Sequence, residues 1–200
     1  MYHSSKPTIL IIIGSTRPNR VGPNIAEWVH TRAAQRADAR FEVVDLAEWN
    51  LPLLNEPVQA KMRMYQHSHT KNWSAKIARA DGYIIVTPEY NHGYPAALKN
   101  ALDYLYHEWV RKPVAFVGYG WGGGQLAVQQ LRQVVAELKM DALPEQAELF
   151  FKPNMFDEQF RLREPAQSLA SYTDETDALI EALSAQVIKL KKETKNEATV

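Results

Sequence analysis

Short apolar runs alternate along this chain with stretches of helical periodicity, and this alternation limits the possible folds more than any other feature. In the stretch 8–13, the five residues after Thr8 are all Ile or Leu, which is typical of a strand covered on both faces. A helix is predicted after this strand, with Ile25, Trp28, Val29 and Ala33 on its apolar face. Five strands are predicted in this way, at residues 8–13, 41–46, 83–87, 114–119 and 147–151. Strands separated by helices imply right-handed crossovers, and therefore an α/β protein with a parallel sheet.

Polar or glycine-rich loops follow the first, third and fourth predicted strands. Ligands of doubly wound sheets bind at the carboxyl ends of the strands, where the strand order reverses. Of the two common orders, Rossmann and flavodoxin-like, the second brings the loops after strands one and three together. We therefore predict a flavodoxin-like three-layer sandwich with a five-stranded parallel sheet in the order 2-1-3-4-5 and helices on both faces. Residues 1–200 are expected to form one domain with loose tails at 1–6 and 191–200.

The loop at residues 14–22, Gly-Ser-Thr-Arg-Pro-Asn-Arg-Val-Gly, joins a buried strand to a helix. Backbone N–H groups at the helix start, small hydroxyls and two arginines favour a phosphate site. The loop lacks the Gly-Lys-Ser/Thr of a nucleotide-hydrolysing loop and the second glycine of a dinucleotide turn. A single terminal phosphate therefore fits better than a pyrophosphate, although a polar loop with surface arginines would have the same composition.

The loops after the third and fourth strands differ in character. Residues 88–95 read Pro-Glu-Tyr-Asn-His-Gly-Tyr-Pro, and backbone N–H groups there are suited to the edge of a flat heterocycle such as a flavin. Residues 119–124, Tyr-Gly-Trp-Gly-Gly-Gly, have few side chains, which would let the backbone approach a planar ligand closely. A glycine turn is common, so the second of these loops is weak evidence by itself.

Composition excludes several classes of protein. The 23 basic and 23 acidic residues balance, so the chain has neither the basic footprint of a nucleic-acid-binding protein nor the acidic surface common among small electron carriers. The absence of Cys excludes disulfides, thiolate catalysis and Cys-ligated metals. The apolar run near the start is too short for a signal sequence or a membrane span, so we expect a cytoplasmic protein without membrane or nucleic-acid partners.

The motifs together resemble the NADPH-dependent FMN reductase family. The similarity covers residues 8–140 and rests on Gly14-Ser15-Thr16-Arg17, on the block from Pro88 to Asp103 and on Gly118-Tyr119-Gly120. It implies FMN as cofactor, NADPH or NADH as reductant, and two-electron reduction of a small acceptor such as a quinone, an azo compound, free flavin or a metal oxyanion. It also implies a homodimer or a dimer of dimers. The chain departs from the family pattern at Asn19 and Trp121, where many relatives have Ser or Gly.

By motif position the resemblance implies a set of cofactor contacts and a smaller set of substrate contacts. The phosphate contacts would be Ser15, Thr16, Arg17, Asn19, Arg20, Val21 and Gly22. The ring contacts would be Pro88, Glu89, Tyr90, Asn91, Gly93, Tyr119, Gly120 and Gly122. The substrate contacts would be His92, Tyr94 and Trp121. No metal ligand and no obligatory catalytic side chain is predicted, because the flavin carries the redox chemistry.

Two alternatives remain open at this point. A flavodoxin-like electron carrier or FMN-binding regulator would share these loops without oxidising NAD(P)H efficiently, although balanced charge disfavours docking to redox partners. The aromatic residues Tyr104, Tyr106 and Trp109 belong either to the monomer core or to a partner surface. Since residues 98–105 already fill the helix stripe, we expect a partner surface on a helix spanning residues 95–109.

Further expectations concern the less regular parts of the chain. A polar helix is predicted from about residue 58 to residue 80, with an interruption at residues 67–70. His67 and His69 have no zinc-site spacing and are expected to be exposed or helix-capping. The segment 156–171 is expected to be irregular or briefly helical, and the last amphipathic helix to carry a stripe of Leu179, Leu183, Val187 and Leu190.

Overall fold

A five-stranded, all-parallel sheet forms the centre of the computed structural model, which describes residues 6–197. The strand order β2-β1-β3-β4-β5 is the predicted one. The strands are β1 (Thr8–Ile13), β2 (Arg40–Asp45), β3 (Gly82–Pro88), β4 (Pro113–Gly120) and β5 (Asp141–Phe150). Every residue of β3 is buried, as expected for a central strand covered on both faces.

Seven α-helices and three short 3₁₀ turns connect or follow these strands in residues 6–197. The helices are α1 (Gly22–Ala33), α2 (Leu46–Trp49), α3 (Ser68–Ala78), α4 (Ala96–Asp103), α5 (Gln125–Glu137), α6 (Pro165–Ser168) and α7 (Thr173–Glu197). The 3₁₀ turns are Ala60–Met62, Pro153–Met155 and Ala170–Tyr172. No helix in the described range is long and apolar enough to cross a membrane.

The strand side chains alternate between two apolar layers. Ile9, Ile11 and Ile13 pack with α1 and α7 on one face of the sheet, whereas Leu10 and Ile12 pack with α3, α4 and α5 on the other. The predicted stripe of α1 is buried throughout, and in α7 three of the four predicted positions are buried, with Leu190 only partly covered. This arrangement holds the carboxyl ends of β1, β3 and β4 at one edge of the sheet.

The helix predicted for residues 58–80 is much shorter in the structure. Helix α3 begins at Ser68, and the chain before it makes only a 3₁₀ turn that ends at Arg63 with a positive φ of 53°. The Glu56 carboxylate accepts the backbone N–H groups of Gln66 and His67, at 2.8 and 3.0 Å. These hydrogen bonds hold the start of α3 and fix the chain reversal before it.

The helix predicted for residues 95–109 ends at Asp103, and Pro95 occupies the position before its first residue. Tyr104 and Trp109 lie in the monomer core, with 1% and 0% of their surface exposed, so assigning them to a partner surface was wrong. The Trp109 indole N–H donates to the carbonyl of Leu102 at 3.2 Å, and the Tyr104 hydroxyl lies 3.0 Å from the carbonyl of Pro52. Buried aromatic rings with satisfied polar groups are ordinary core residues.

Two further boundaries differ from prediction. Strand β5 starts six residues earlier, at Asp141, because it is an edge strand whose polar residues and Pro144 are tolerated on its open side. Helix α7 continues to Glu197, so the tail expected from residue 191 is largely helical. Of the expected N-terminal tail, Lys6 is exposed and outside regular structure, and the rest lies outside the described residues, as do residues 198–200.

Candidate functional site

Three loops follow the carboxyl ends of β1, β3 and β4 and meet at one cleft. They span residues 14–21, 89–95 and 121–124. The cleft has a volume of about 300 Å³ and includes one residue from beyond β5. Its lining consists of Arg17, Arg20, Val21, Pro88, Glu89, Tyr90, Tyr119, Gly120, Trp121, Gly122 and Phe151. Its position is the one where doubly wound sheets bind ligands.

Ser15 joins the first two loops. Its side chain is fully buried, its Oγ lies 2.7 Å from the hydroxyl of Tyr90, and the same oxygen accepts the N–H of Arg17 at 3.3 Å. One residue earlier, the Gly14 N–H donates to the carbonyl of Val86 in β3 at 2.9 Å. The start of the first loop is thus held against β3 by backbone and side chain together.

The two arginines of the first loop have different surroundings. The Arg17 guanidinium is exposed and lies over the Tyr90 ring, 5.7 Å from its centroid. The Arg20 guanidinium is paired with Asp45 at the end of β2, and its Nε is buried with no partner in residues 6–197. Arg17 is therefore free to meet an anionic ligand, whereas Arg20 is held in place by a carboxylate.

The second loop contains a tight turn. Tyr90 and Gly93 exchange two backbone hydrogen bonds, of 2.7 and 3.0 Å, and the two residues between them have positive φ values, 49° at Asn91 and 66° at His92. This is the geometry of a two-residue turn of type I′. The His92 carbonyl accepts the side-chain N–H of Gln130 from α5, and the side chains of Asn91 and His92 are exposed.

Glu89 ties the second loop to α5. Its carboxylate accepts the N–H groups of Leu126 and Ala127, at 3.0 and 3.4 Å, in the first turn of that helix. Helix α5 has Gly124 before its first residue and therefore no capping side chain of its own. The carboxylate supplies the missing acceptor and is also attracted to the positive end of the helix dipole. Its main role in this structure is thus to hold the second and third loops together.

The third loop leaves open space beside its backbone. Gly120 has a φ of +143°, and a Cβ placed on it would meet no atom within 4 Å. By contrast, a Cβ on Gly124 would come within 2.6 Å of the backbone nitrogen of Tyr119. Glycine at residue 124 is therefore required by packing, whereas glycine at residue 120 leaves its backbone exposed to the cleft.

Aromatic side chains form one wall of the cleft. Trp121 is 63% exposed, and its ring lies edge-on to Phe151, with centroids 6.1 Å apart. Phe156 completes the cluster, 5.9 Å from Trp121 and 4.9 Å from Phe151. An exposed tryptophan supported from behind by two phenylalanines offers a flat apolar surface to a ligand.

Tyr119 lies beneath the cleft. Its ring is 3% exposed, and its hydroxyl is buried without a partner in the described residues. Burial raises the pKa of Tyr119 well above its ordinary value, so the hydroxyl stays protonated and can donate. A Cβ on Gly22 would lie 2.8 Å from this hydroxyl, so glycine at that position makes room for it.

Ten of the residues predicted for the site line the cleft: Arg17, Arg20, Val21, Pro88, Glu89, Tyr90, Tyr119, Gly120, Trp121 and Gly122. Ser15 and Gly22 lie directly behind it. Five others are placed differently. Thr16 lines a separate depression beside α2 and α4, and Asn19 lines a groove beside α1. Tyr94 packs partly against the core. The side chains of Asn91 and His92 are exposed at the turn. Gly93 closes the turn through its backbone.

Two aromatic residues and one acid at the site were missed from the sequence. Phe151 directly follows β5 and therefore lies at the same edge of the sheet as the predicted loops. Its position after a predicted strand was the sequence signal that could have indicated it. Phe156 lies in the segment predicted to be irregular or briefly helical. Asp45 was predicted only as part of the second strand. His67 and His69 lie outside the site and stack on each other beside Asn55. Within residues 6–197, no group of three His, Cys, Asp or Glu residues is arranged to hold a metal ion.

The chemistry of the cleft fits a planar ligand with an anionic end. The first turn of α1 contains no acidic residue and no side-chain cap. Pro23 has no N–H, so the backbone N–H groups of Gly22 and Asn24 are the donors available at the helix start. The unpartnered Tyr119 hydroxyl and Arg20 Nε are two further buried donors next to the cleft. The open backbone at Gly120 and the Trp121 surface face the space that a planar ring would fill.

Comparison with known proteins agrees with this geometry. The family model described as NADPH-dependent FMN reductase matches residues 7–151. A Schizosaccharomyces pombe protein named NAD(P)H-dependent FMN reductase is 48% identical over 140 residues, which is 69% of this chain and 70% of the relative. A Burkholderia protein named 2-hydroxy-1,4-benzoquinone reductase is 32% identical over 151 residues, or 72% of this chain and 78% of the relative.

Among solved structures, the flavoenzyme NAD(P)H:(acceptor) oxidoreductase FerB of Paracoccus denitrificans has a similar fold. It superimposes with a TM-score of 0.63 and 22% identity, covering 88% of this chain and 98% of that structure. The share of this chain that superimposes is larger than the stretch, residues 7–151, that the family model matches.

Proposed function

The chain belongs to the NADPH-dependent FMN reductase family, and we propose that its cleft holds FMN with the phosphate on the 14–22 loop and the ring beside Tyr90 and Gly120. The protein is an FMN-dependent NAD(P)H oxidoreductase that acts on small acceptors, as relatives named FMN reductase, quinone reductase and azoreductase indicate. The observation that carries the site assignment is the convergence of three loops on one cleft with a free arginine at one end.

Arg17 is proposed to bind the phosphate directly. Its guanidinium has no carboxylate partner in residues 6–197, and a charge-assisted pair with a phosphate would be bidentate. The N–H groups that begin α1 are proposed to share this contact, and Ser15 holds the loop from behind through its hydrogen bond to Tyr90. Thr16 lines the depression beside α2 and α4, so its predicted phosphate contact is not part of this proposal. Arg20 is proposed to act at longer range, since Asp45 already holds its terminal nitrogen.

When bound, FMN accepts a hydride from the nicotinamide and returns two electrons to the acceptor. The protein's part is to hold and orient the ring. Backbone groups around Pro88, Tyr90 and Gly120 are proposed to contact the ring edge, and Glu89 keeps the two ring loops together through α5. No titrating side chain is proposed to act at the reacting atoms, because the flavin carries the redox chemistry.

The acceptor is proposed to lie against the aromatic wall. Trp121 presents a mostly exposed ring there, and Phe151 and Phe156 fix its orientation. Such a surface suits flat quinones and azo compounds better than a metal oxyanion. His92 is proposed to contact the acceptor from the turn. The substrate contact of Tyr94 stays a prediction, which the partial burial of its side chain does not favour.

The test of this assignment is the identity of the bound cofactor. The purified protein is expected to release about one FMN per chain on denaturation, because the 14–22 loop suits one terminal phosphate and lacks the dinucleotide turn. Mass spectrometry of the released material distinguishes FMN from FAD. Recovery of FAD, or no flavin after reconstitution of the apoprotein, would contradict the proposal.

We also propose that the chain assembles at least as a homodimer, and that two such dimers can pair. The support comes from exposed apolar side chains beside α4, with Leu53 82% and Met62 62% exposed. Asn100 of α4 donates to the carbonyl of Pro52, next to Leu53. His107, shortly after α4, contacts the carbonyl of Lys61, next to Met62, at 2.8 Å. The segments that carry Leu53 and Met62 therefore pack against α4 and the chain that follows it. Patches of this kind mark interfaces.

Light scattering of the wild type and of Leu53→Asp tests the dimer. The substitution is expected to produce monomers, whereas Phe160→Asp, at an equally exposed phenylalanine elsewhere, is the control that stays dimeric. A monomeric wild type at micromolar concentration would contradict the proposal.

The chain is further proposed to be a single FMN-binding domain, since β1 and α7, from opposite ends of the described chain, share one apolar layer. A cytoplasmic location is proposed because NAD(P)H is an intracellular reductant.

A further inference from the structure

A second, polar groove adjoins the cofactor cleft. It has a volume of about 680 Å³ and runs between the start of α1 and a short hairpin after β5. Arg20 and Val21 line both the groove and the cleft, so the two spaces are neighbours at these residues. Its lining consists of Asn19, Arg20, Val21, Asn24, Asp157, Arg161, Leu162, Arg163 and Glu164. Its size is within the range of small-molecule sites.

The hairpin that forms one wall is firmly held. Phe156 and Leu162 pair as an isolated antiparallel bridge, and the Arg163 N–H donates to the carbonyl of Met155 at 2.8 Å. Leu162 and Met155 are buried in the same apolar layer as α1. The wall is therefore attached to the core and keeps Arg163 at a fixed place beside α1.

Among residues 6–197, the ion pairs of the groove leave one of its cations without a carboxylate partner. Arg161 is paired with Asp157, whose pKa is lowered by the backbone N–H of Arg161 and by the guanidinium itself. Arg20 is paired with Asp45. Arg163 donates through Nε to the carbonyl of Phe156 at 2.8 Å, and its terminal nitrogens have no partner in residues 6–197. Glu164 is the remaining carboxylate in the lining, and it is exposed.

We propose that this groove binds the adenosine end of the reductant and that Arg163 recognises the 2′-phosphate that distinguishes NADPH from NADH. This inference rests on the proposed function, in which the nicotinamide enters the cofactor cleft. A cleft of about 300 Å³ that already holds FMN has no room for a whole dinucleotide, so the adenosine half is proposed to lie on neighbouring surface. This groove shares Arg20 and Val21 with the cleft. Asn19 and Asn24 supply the paired donors and acceptors that a purine base requires, and the terminal nitrogens of Arg163 supply a fork for the phosphate.

Reductant specificity tests the proposal on the FMN-loaded protein. Arg163→Ala is expected to raise KM for NADPH by roughly 10- to 100-fold, the loss of one charge-assisted contact, and to leave KM for NADH unchanged. Arg163→Lys, which keeps the charge, is expected to restore part of the difference. Arg79→Ala removes an exposed arginine at the far end of α3 and is the matched control.

A binding measurement separates this inference from the proposed function. Adenosine 2′,5′-bisphosphate is expected to bind the wild type more tightly than adenosine 5′-monophosphate, and Arg163→Ala is expected to abolish that difference, whether or not the protein is catalytically active. FMN content is expected to be the same in both proteins. Equal loss of NADPH and NADH affinity, or no change with either, would overturn the assignment of Arg163 to the 2′-phosphate. Failure of the wild type to oxidise either reductant, with bisphosphate binding intact, would overturn the proposed function alone.

Discussion

The hydroxyl of Tyr90 lies 2.7 Å from the buried Oγ of Ser15, and this contact joins the loop after β1 to the loop after β3. The two residues are 75 positions apart in the chain, so the hydrogen bond helps to fix the width of the cleft. Since Arg17 lies over the same tyrosine ring, the contact also sets the position of the arginine proposed to bind phosphate.

Removing either hydroxyl is therefore expected to weaken both the fold and cofactor binding. Tyr90→Phe and Ser15→Ala should each lower the free energy of unfolding by about 1 kcal/mol, with the double variant losing less than the sum. Urea unfolding of all four proteins measures this coupling. Tyr94→Phe is the control, because the Tyr94 hydroxyl has no partner in residues 6–197. Strict additivity would show that the two hydroxyls do not interact.

Arg17→Ala is expected to weaken FMN binding by about 1.5–3 kcal/mol, the usual size of a hydrogen bond to a charged group. Titration of the apoprotein with FMN gives the affinity. Arg20→Ala is expected to have a smaller direct effect on binding because Asp45 holds that guanidinium. If Arg20→Ala proved the more damaging change while the fold stayed intact, the phosphate contact would have to move to Arg20.

Glu89→Ala is expected to destabilise the protein by about 1 kcal/mol, because the N–H groups of Leu126 and Ala127 in the first turn of α5 would lose the carboxylate that accepts them. Glu89→Gln keeps an acceptor and should cost less. Thermal unfolding of the apoproteins measures both effects without interference from the cofactor. An unfolding temperature unchanged in Glu89→Ala would argue that α5 is capped by solvent alone.

Lys112 provides a pH-dependent prediction. Its ammonium lies 3.0 Å from the carbonyl of Ile77 and 3.1 Å from that of Ala78, at the end of α3, and burial lowers its pKa to about 8. Between pH 8 and 10.5, the unfolded chain therefore binds more protons at Lys112 than the folded chain does. The contribution of Lys112 to the free energy of unfolding therefore rises over that range.

Comparison with Lys112→Met isolates this contribution. The stability of the wild type relative to the variant is expected to increase by up to about 3 kcal/mol as the pH rises through that range. Urea unfolding below pH 8 and near pH 10.5 gives the two differences. Parallel stability curves for the two proteins would show that Lys112 titrates normally.

His92→Ala is expected to leave reduction of the bound flavin nearly unchanged. The His92 side chain is exposed, and its structural contribution is a backbone carbonyl that Gln130 holds at 2.9 Å. Rapid-mixing measurements with excess NADPH report the rate. A loss of about 10²-fold or more, with FMN still bound, is the size expected for a missing general acid–base and would make His92 catalytic.

The sheet order and the apolar stripes of α1 and α7 were predictable, because they depend on chain connectivity and on local periodicity. The three ligand loops were predictable for the same reason, since the carboxyl ends of parallel strands meet at one edge. The burial of Tyr104 was not predictable, because it depends on where the 50–60 connection passes, and the Tyr104 hydroxyl meets Pro52 there. The burial of Trp109 depends on contacts with Trp73 and Tyr83, which no helical period reveals. The aromatic wall was missed because Phe156 lies in an irregular segment that tertiary packing returns to the cleft.

The most direct test of the central claim is anaerobic mixing of the FMN-loaded protein with NADPH or NADH. The visible flavin absorbance is expected to bleach rapidly, at a rate that rises with reductant concentration. It is expected to recover when a quinone is then added. A flavin that stays oxidised in the presence of both reductants would contradict the account, and would indicate an electron carrier or a regulatory flavoprotein on the same fold.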